Sequence, residues 1–210
     1  MFLIENLIFK DILDIPYLKI DQPISCIVGP SGSGKTTFLR MLNGLNKPDQ
    51  GTIYYEGENI SSVDIIQFRR RVVMLGQTPI LYDGDIQNNL QIGLQFSQKL
   101  PASAQKLKEI LERVGLNKSL GESCSTLSGG ERQRLCLARV MLLNAEVYLL
   151  DEPSAALDRD TERFMIENLA DFVTTYQKQM IMVTHSEQIA ASYPNGLIHL
   201  EQVHRKGIGQ

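Results

Sequence analysis

The residues Gly29-Pro30-Ser31-Gly32-Ser33-Gly34-Lys35-Thr36 have the types and spacing that hold phosphate. They fit the pattern G-x-x-x-x-G-K-[ST]. The glycines let the backbone turn so that successive N–H groups converge on phosphate oxygens. A helix beginning near Lys35 adds its positive N-terminal dipole. Lys35 can reach β- and γ-phosphates as a point charge, and the Thr36 hydroxyl can ligate Mg2+. Far downstream, the apolar run Val147-Tyr148-Leu149-Leu150 ends in two carboxylates, Asp151 and Glu152. Ligands of a parallel sheet bind beyond the carboxyl ends of its strands. Asp151 is therefore expected beside the phosphate loop, where it could hold Mg2+ directly or through water. Glu152 could accept a proton from an attacking water. A third segment, Leu127-Ser128-Gly129-Gly130-Glu131-Arg132-Gln133, pairs Ser128 with Glu131 at capping-box spacing. A helix start with two glycines also exposes backbone N–H groups, a second place for an anion. Two such helix starts in one chain suggest two nucleotide faces.

These residues need elements to position them. Phe2–Phe9, Tyr17–Ile20 and Gly51–Gly57 read as strands, and Ser25–Val28 as a short buried strand leading into the glycine loop. Thr36–Leu42 has a helical pattern, closed by Asn43-Gly44. The stretch from Ile86 to Leu127 is rich in Gln, Lys, Leu and Ser. Within it, Pro101–Val114 has helical spacing, with Leu107, Ile110, Leu111 and Val114 on one face. It reads as a helical lobe, residues 86–127, inserted in a core of 1–85 and 128–210, all within one domain. The second half alternates. A helix is expected over Gly130–Leu143, a strand over Val147–Leu150, a helix over Thr161–Tyr176, and strands over Met180–Val183 and Gly196–Leu200. Helices alternating with apolar strands imply an α/β fold whose parallel sheet is covered on both faces.

Composition narrows the class. A chain of 210 residues with 43% apolar and 21% charged residues can fold around its own core. A net charge of −3 and a pI of about 5.7 argue against a bulk electrostatic grip on nucleic acid. Cys26, Cys124 and Cys136 form no CxxC pair and no metal-ligand spacing, so they read as reduced, buried or incidental thiols. The apolar start Met1–Phe9 is broken by Glu5 and follows no basic segment, and no run approaches the ~20 residues that span a bilayer. The expectation is a cytoplasmic protein that works at a membrane, if at all, through a partner.

Together the motifs resemble those of the nucleotide-binding subunits of ATP-binding-cassette (ABC) transporters, from about Leu7 to Leu200. Gly29–Thr37 is similar to their Walker A loop, Val147–Glu152 to their Walker B strand. Leu127–Gln133 is similar to the signature LSGGQ, with Glu131 in place of the final Gln. The resemblance implies a P-loop NTPase cassette with a mostly parallel sheet, an antiparallel β subdomain and the helical lobe. Its cofactors would be ATP and Mg2+. Thr37 joins the nucleotide-binding residues by the same resemblance. Gln77 resembles the Q-loop glutamine, which contacts Mg2+ or the attacking water. Ser154–Asp158 resembles the D-loop, and His185 the switch histidine that contacts the γ-phosphate. The family usually stacks an upstream aromatic on adenine. Phe9 is the only aromatic near the corresponding turn, and strand alternation would instead make it core.

The resemblance further implies an ATP sandwich dimer. Ser128, Gly129 and Gly130 of one subunit would cover ATP held by the other, in a homodimer or with a paralogue. Two readings compete. One is a transporter ATPase, peripheral at the inner face of the cell membrane, docked on a separate transmembrane permease subunit between the Gln77 loop and the helical lobe. The other is a soluble ABC ATPase acting on ribosomes or DNA. The single cassette, the acidic charge, and the lack of zinc modules or long coiled coils favour the first and leave no nucleic acid expected. Gly76–Tyr82 resembles the Q-loop region of a small bacterial ATPase family linked to iron export; a generic importer subunit, for phosphate or amino acids, stays open beside it.

Overall fold

The computed structural model of the chain describes residues 1–203. Its N-terminal strands are half-buried, so they pair antiparallel with one face on a core. β1 (Phe2–Phe9) lies between β2 (Leu13–Ile20) and β4 (Gln50–Tyr55), with the short β5 (Glu58–Asn59) outside β4. The buried phase of β1 passes from Phe2 and Ile4 to Leu7, and the register against β4 shifts between Glu5 and Ile8. Asn6, at φ +49°, takes up that irregularity. β2 is longer than its apolar pattern predicts, because Pro16 interrupts the pattern without ending the strand. As the edge of its sheet, β2 has no second neighbour that needs the missing N–H.

The second sheet has the order β6-β7-β8-β3-β9, with every neighbouring pair parallel. Its strands are β3 (Ile24–Val28), β6 (Val72–Leu75), β7 (Val147–Asp151), β8 (Gln179–Val183) and β9 (Leu197–His199). Alternation along β7 divides the core. Val147 and Leu149 face α1 (Lys35–Leu42) and the antiparallel sheet, in a cluster with Phe38, Leu39, Met41, Leu42 and Ile4. Tyr148 and Leu150 face the other way, toward α5 (Gly129–Leu142) and α6 (Arg159–Thr175). The helix α1 is therefore held between two sheets, which fixes the loop that precedes it.

The remaining helices are α2 (Ile65–Arg71), α3 (Ile86–Phe96), α4 (Ala104–Arg113), α7 (Glu187–Ala191) and α8 (Leu200–Val203). Leu90 of α3 and Leu107, Ile110 and Leu111 of α4 share one apolar cluster with α5 and α6. α4 starts later than the spacing over Pro101–Val114 predicts. The Ser103 hydroxyl caps it, accepting from the Lys106 N–H at 3.2 Å, and leaves Pro101 and Ala102 outside. α5 begins one residue before the expected Gly130 and ends one before Leu143, while α6 begins two before Thr161, behind its Asp158 cap. All three cysteines are buried and unpaired. Among the described residues no helix is long and apolar enough to cross a membrane.

Candidate functional site

The phosphate loop leaves β3 at Val28 and enters α1 at Lys35, as its spacing predicts. Gly29, Gly32 and Gly34 all have positive φ. At Gly34, φ is +92°, and a Cβ would stand 2.8 Å from the Leu13 side chain and 2.9 Å from that of Ile12. Only glycine fits, because the loop is pressed against β2 and the turn before it. Lys35 is 6% exposed, and its ammonium donates to the carbonyls of Gly29 and Pro30 at 2.8 Å each, lying back across the loop. Ser33 Oγ is buried within the loop without a hydrogen-bond partner. Pro30, Ser31 and Gly32 are exposed at the tip, and Thr37 is half-buried in the first turn of α1.

The structure brings Thr36 and Asp151 together. The Thr36 hydroxyl donates to Asp151 Oδ1 at 3.0 Å, joining the start of α1 to the end of β7. Asp151 is 1% exposed. Burial raises the pKa of its carboxyl from the ordinary aspartate value, with the Thr36 hydroxyl opposing and the nearby Glu152 charge adding to the rise. A buried carboxylate held above its ordinary pKa gains from a cation beside it. Thr36, Asp151 and Gln77 offer oxygen donors, which suit a hard cation such as Mg2+. Among the described residues no group of three His, Cys, Asp or Glu could hold a metal alone. Phosphate and water oxygens would have to complete the shell, which is usual for Mg2+. The glycine cradle, the orphaned Ser33 hydroxyl and this donor set fit a phosphate-bearing Mg2+ ligand.

Glu152 lies just past β7 at φ +50°, an uncommon conformation for a residue with a side chain. Its carboxylate accepts from Gln77 Nε2 at 2.9 Å and stands 3.0 Å from His185 Nε2. The three residues come from the ends of β6, β7 and β8, which are neighbours in the sheet. Gln77 and His185 are exposed, so the cluster opens to solvent.

Ser128 caps α5, accepting from the Glu131 N–H at 3.3 Å, while Glu131 accepts from the Ser128 N–H at 2.8 Å. This is the expected capping box. Ser128 and Gly129 are exposed. Among the described residues no hydrogen bond joins 128–130 to 29–37 of the same chain. Phe9 is half-buried, packed against the core cluster of the antiparallel sheet, with the Lys10 ammonium 5.2 Å from its ring centre. The D-loop segment begins at Ser154, whose hydroxyl donates to Glu162 at 2.5 Å, and ends at Asp158, the cap of α6.

Sequence reasoning passed over Gln133 except as the end of the signature. It is 3% exposed. Its amide nitrogen donates to the Glu152 carbonyl at 2.8 Å, and its oxygen accepts from the Ala156 N–H at 3.3 Å. The available signal was spacing: Gln133, Cys136, Leu137 and Val140 form one buried helical stripe, and Gln133 is its polar member.

This fold and this site define a P-loop nucleotide-binding cassette of the α/β class. A family model described as ABC transporter matches residues 21–155. The chain belongs to that family, among its ATP-binding cassettes. It is 40% identical over 178 residues to ABC transporter I family member 17 of Arabidopsis thaliana, covering 80% of this chain and 65% of that protein. It is 35% identical over 216 residues to the phosphate import ATP-binding protein PstB of Borreliella afzelii, covering 92% and 81%. Among solved structures it resembles a dimeric ATP-binding cassette in a post-hydrolysis state, bound to ADP and Pi. That likeness has a TM-score of 0.78, 25% identity, and covers 90% of each chain.

Proposed function

We propose that this chain binds ATP with Mg2+ and hydrolyses it between two cassettes, to drive transport through a separate transmembrane permease subunit. The observation that carries this reading is the joint placement of Thr36 with Asp151 and of Gln77 with Glu152 and His185. Gly29–Thr37 cradle the phosphates through backbone N–H groups and Lys35, whose ammonium leaves the loop carbonyls for the β- and γ-phosphates. Thr36, Asp151 and Gln77 would hold Mg2+, which would neutralise charge that develops on the phosphates. Glu152 orients the attacking water and takes its proton. Both oxygens of Glu152 touch its own chain, Oε2 the Gln77 amide and Oε1 the His185 Nε2. The base is freed when Gln77 or His185 turns away from it, which would link base activation to occupancy of the site.

Ser128 and Gly129 are exposed, Gly130 is partly so, and among the described residues none of them hydrogen-bonds to its own phosphate loop, which supports their covering ATP held by a second cassette. The second cassette is a copy of this chain or a paralogue. Loss of the γ-phosphate removes their partner, so hydrolysis opens the dimer. On this reading, residues 86–127 are a lobe carried by the core of 1–85 and 128–210. The permease docks beside the Gln77 loop and that lobe. Exposed Ile80, Tyr82 and Phe96, at 65%, 41% and 64%, support an apolar contact there. The protein then works in the cytoplasm, peripheral to the inner face of the membrane.

The test uses purified full-length protein. Glu152→Gln is expected to retain ATP binding, lose about a hundredfold or more of its turnover, and accumulate as an ATP-bound dimer in size-exclusion chromatography. Unchanged turnover would remove Glu152 from the role of base.

A further inference from the structure

The two parts of a sandwich that serve different nucleotides meet inside this one chain. Ser128–Gly130 begin α5, and Glu152 follows β7. Gln133, one turn into α5, joins them. Its amide nitrogen donates to the Glu152 carbonyl at 2.8 Å, and its oxygen accepts from the Ala156 N–H at 3.3 Å. Gly130, three residues earlier on the same face, is pressed against the same segment. A Cβ there would stand 2.9 Å from the Leu157 side chain and 3.3 Å from the Ala156 carbonyl. The Glu152 carbonyl also accepts from the Ala155 N–H at 3.3 Å, so residues 152–157 wrap the first turns of α5.

A neutral amide meets these demands. It donates and accepts at once, with the reach of a Gln. At 3% exposure, the Gln133 amide itself has little access to water. Glu152 sits at φ +50°, a conformation that neighbouring contacts must hold. The contact therefore acts on the backbone that aims the Glu152 carboxylate, not on the carboxylate itself.

We propose that Gln133 is a positioning residue that transmits engagement of the signature segment to Glu152, so that turnover at one ATP depends on closure over the other. The inference rests on the sandwich reading given above. Ser128–Gly130 sense the partner's nucleotide; any shift of the α5 start is passed through Gln133 to the residue that acts on the chain's own nucleotide. Such a link needs a demonstrated energetic coupling, not proximity alone.

The experiment compares wild type, Gln133→Leu and Gln133→Glu as full-length proteins. Leu fills the space and removes both bonds. Glu keeps the shape and the acceptor for Ala156 but, when ionised, cannot donate to the Glu152 carbonyl. ATP turnover is measured across ATP concentration, giving kcat, KM and the Hill coefficient, beside nucleotide affinity by direct binding. Both variants are expected to lose about tenfold in kcat, with nucleotide affinity and KM within about twofold. Their Hill coefficient is expected to fall from above one toward one. Turnover and Hill coefficient equal to wild type would overturn the inference alone. So would a parallel loss of affinity and kcat with the Hill coefficient retained, which is what a purely structural residue gives. If Gln133→Leu does not fold, Gln133→Glu carries the same comparison. A wild-type chain that neither hydrolyses ATP nor dimerises as Glu152→Gln would overturn the sandwich reading, and this inference with it.

Discussion

At the scale of single residues, the site holds one group whose environment suits the Mg2+-binding role proposed for it and not its own stability. Asp151 is buried at the end of a strand, and burial raises its carboxyl pKa. A raised carboxylate pKa means that the charged form is disfavoured in the folded state. Its stabilising protonated form is present below the unfolded pKa and is lost as pH rises through the folded one. Near neutral pH the ionised side chain is therefore a cost, which a bound cation would offset. Asp151→Asn removes that charge and keeps an oxygen for the Thr36 hydroxyl. We predict that it raises the melting temperature of the nucleotide-free protein by about 2–4 °C at pH 7 and abolishes Mg2+-dependent turnover. Scanning calorimetry with and without ATP and Mg2+ checks it. A melting temperature below wild type in the nucleotide-free form would show that the carboxylate is structural.

At the scale of elements, legibility followed how closely each element's buried face matched an apolar pattern. β7 was plain, because Val147–Leu150 are apolar on both faces of a covered sheet. α3 was hidden within the expected lobe, because its buried stripe Ile86, Asn89, Leu90 and Leu94 contains an amide. Asn89 bonds the backbone of Tyr82 in both directions, at 2.8 and 2.9 Å, and accepts from Arg139 at 2.8 Å. A side chain satisfied by distant partners looks like a surface residue in sequence. Gln133 was obscured in the same way. The phosphate loop was fully legible because its chemistry is local, whereas the Gln77–Glu152–His185 cluster depends on strand order, which no short window contains. The start of α5 was legible from Ser128 and Glu131, and it carries a pH dependence. The Glu131 carboxyl is held below its usual range by the Ser128 N–H, then by the Lys118 charge. Its contribution is complete above its unfolded pKa of about 4.3 and is lost as pH falls through the lower folded value. Glu131→Gln should therefore lower the melting temperature by about 1–3 °C at pH 7. The difference from wild type should vanish near pH 3. A difference that persists unchanged there would assign the effect to shape instead of charge.

At the scale of the whole molecule, the Gln77–Glu152–His185 cluster and the apolar surface beside it are joined through one stretch of chain. Gln77 follows β6 and touches Glu152; the chain then runs through exposed Ile80 and Tyr82 to α3. Arg139 of α5 braces that run from beneath, donating to the Ile80 carbonyl at 2.8 Å, with its guanidinium 5.3 Å from the Tyr82 ring. The Tyr82 and Phe96 rings meet edge to face at 5.9 Å. Their outer surfaces are bare, while the backbone behind them is tied to Asn89 and Arg139. On the proposed function, an apolar patch continuous with the segment that holds Gln77 against Glu152 is placed to pass a push from the site to whatever covers it. Truncating the patch should separate the two ends of that path. Tyr82→Ala with Phe96→Ala removes aromatic area from the surface and leaves Gln77, Glu152 and His185 in place. We predict that ATP turnover of the isolated cassette stays within about twofold of wild type, while capture of a polytopic membrane protein falls by about tenfold or more, as loss of aromatic anchors does. Capture is read with tagged Glu152→Gln protein, locked with ATP and Mg2+ and recovered from gently solubilised native cells. Undiminished capture would move the proposed permease contact elsewhere on the cassette. Capture of ribosomal or DNA-repair proteins in place of a membrane protein would replace transport with a soluble machine.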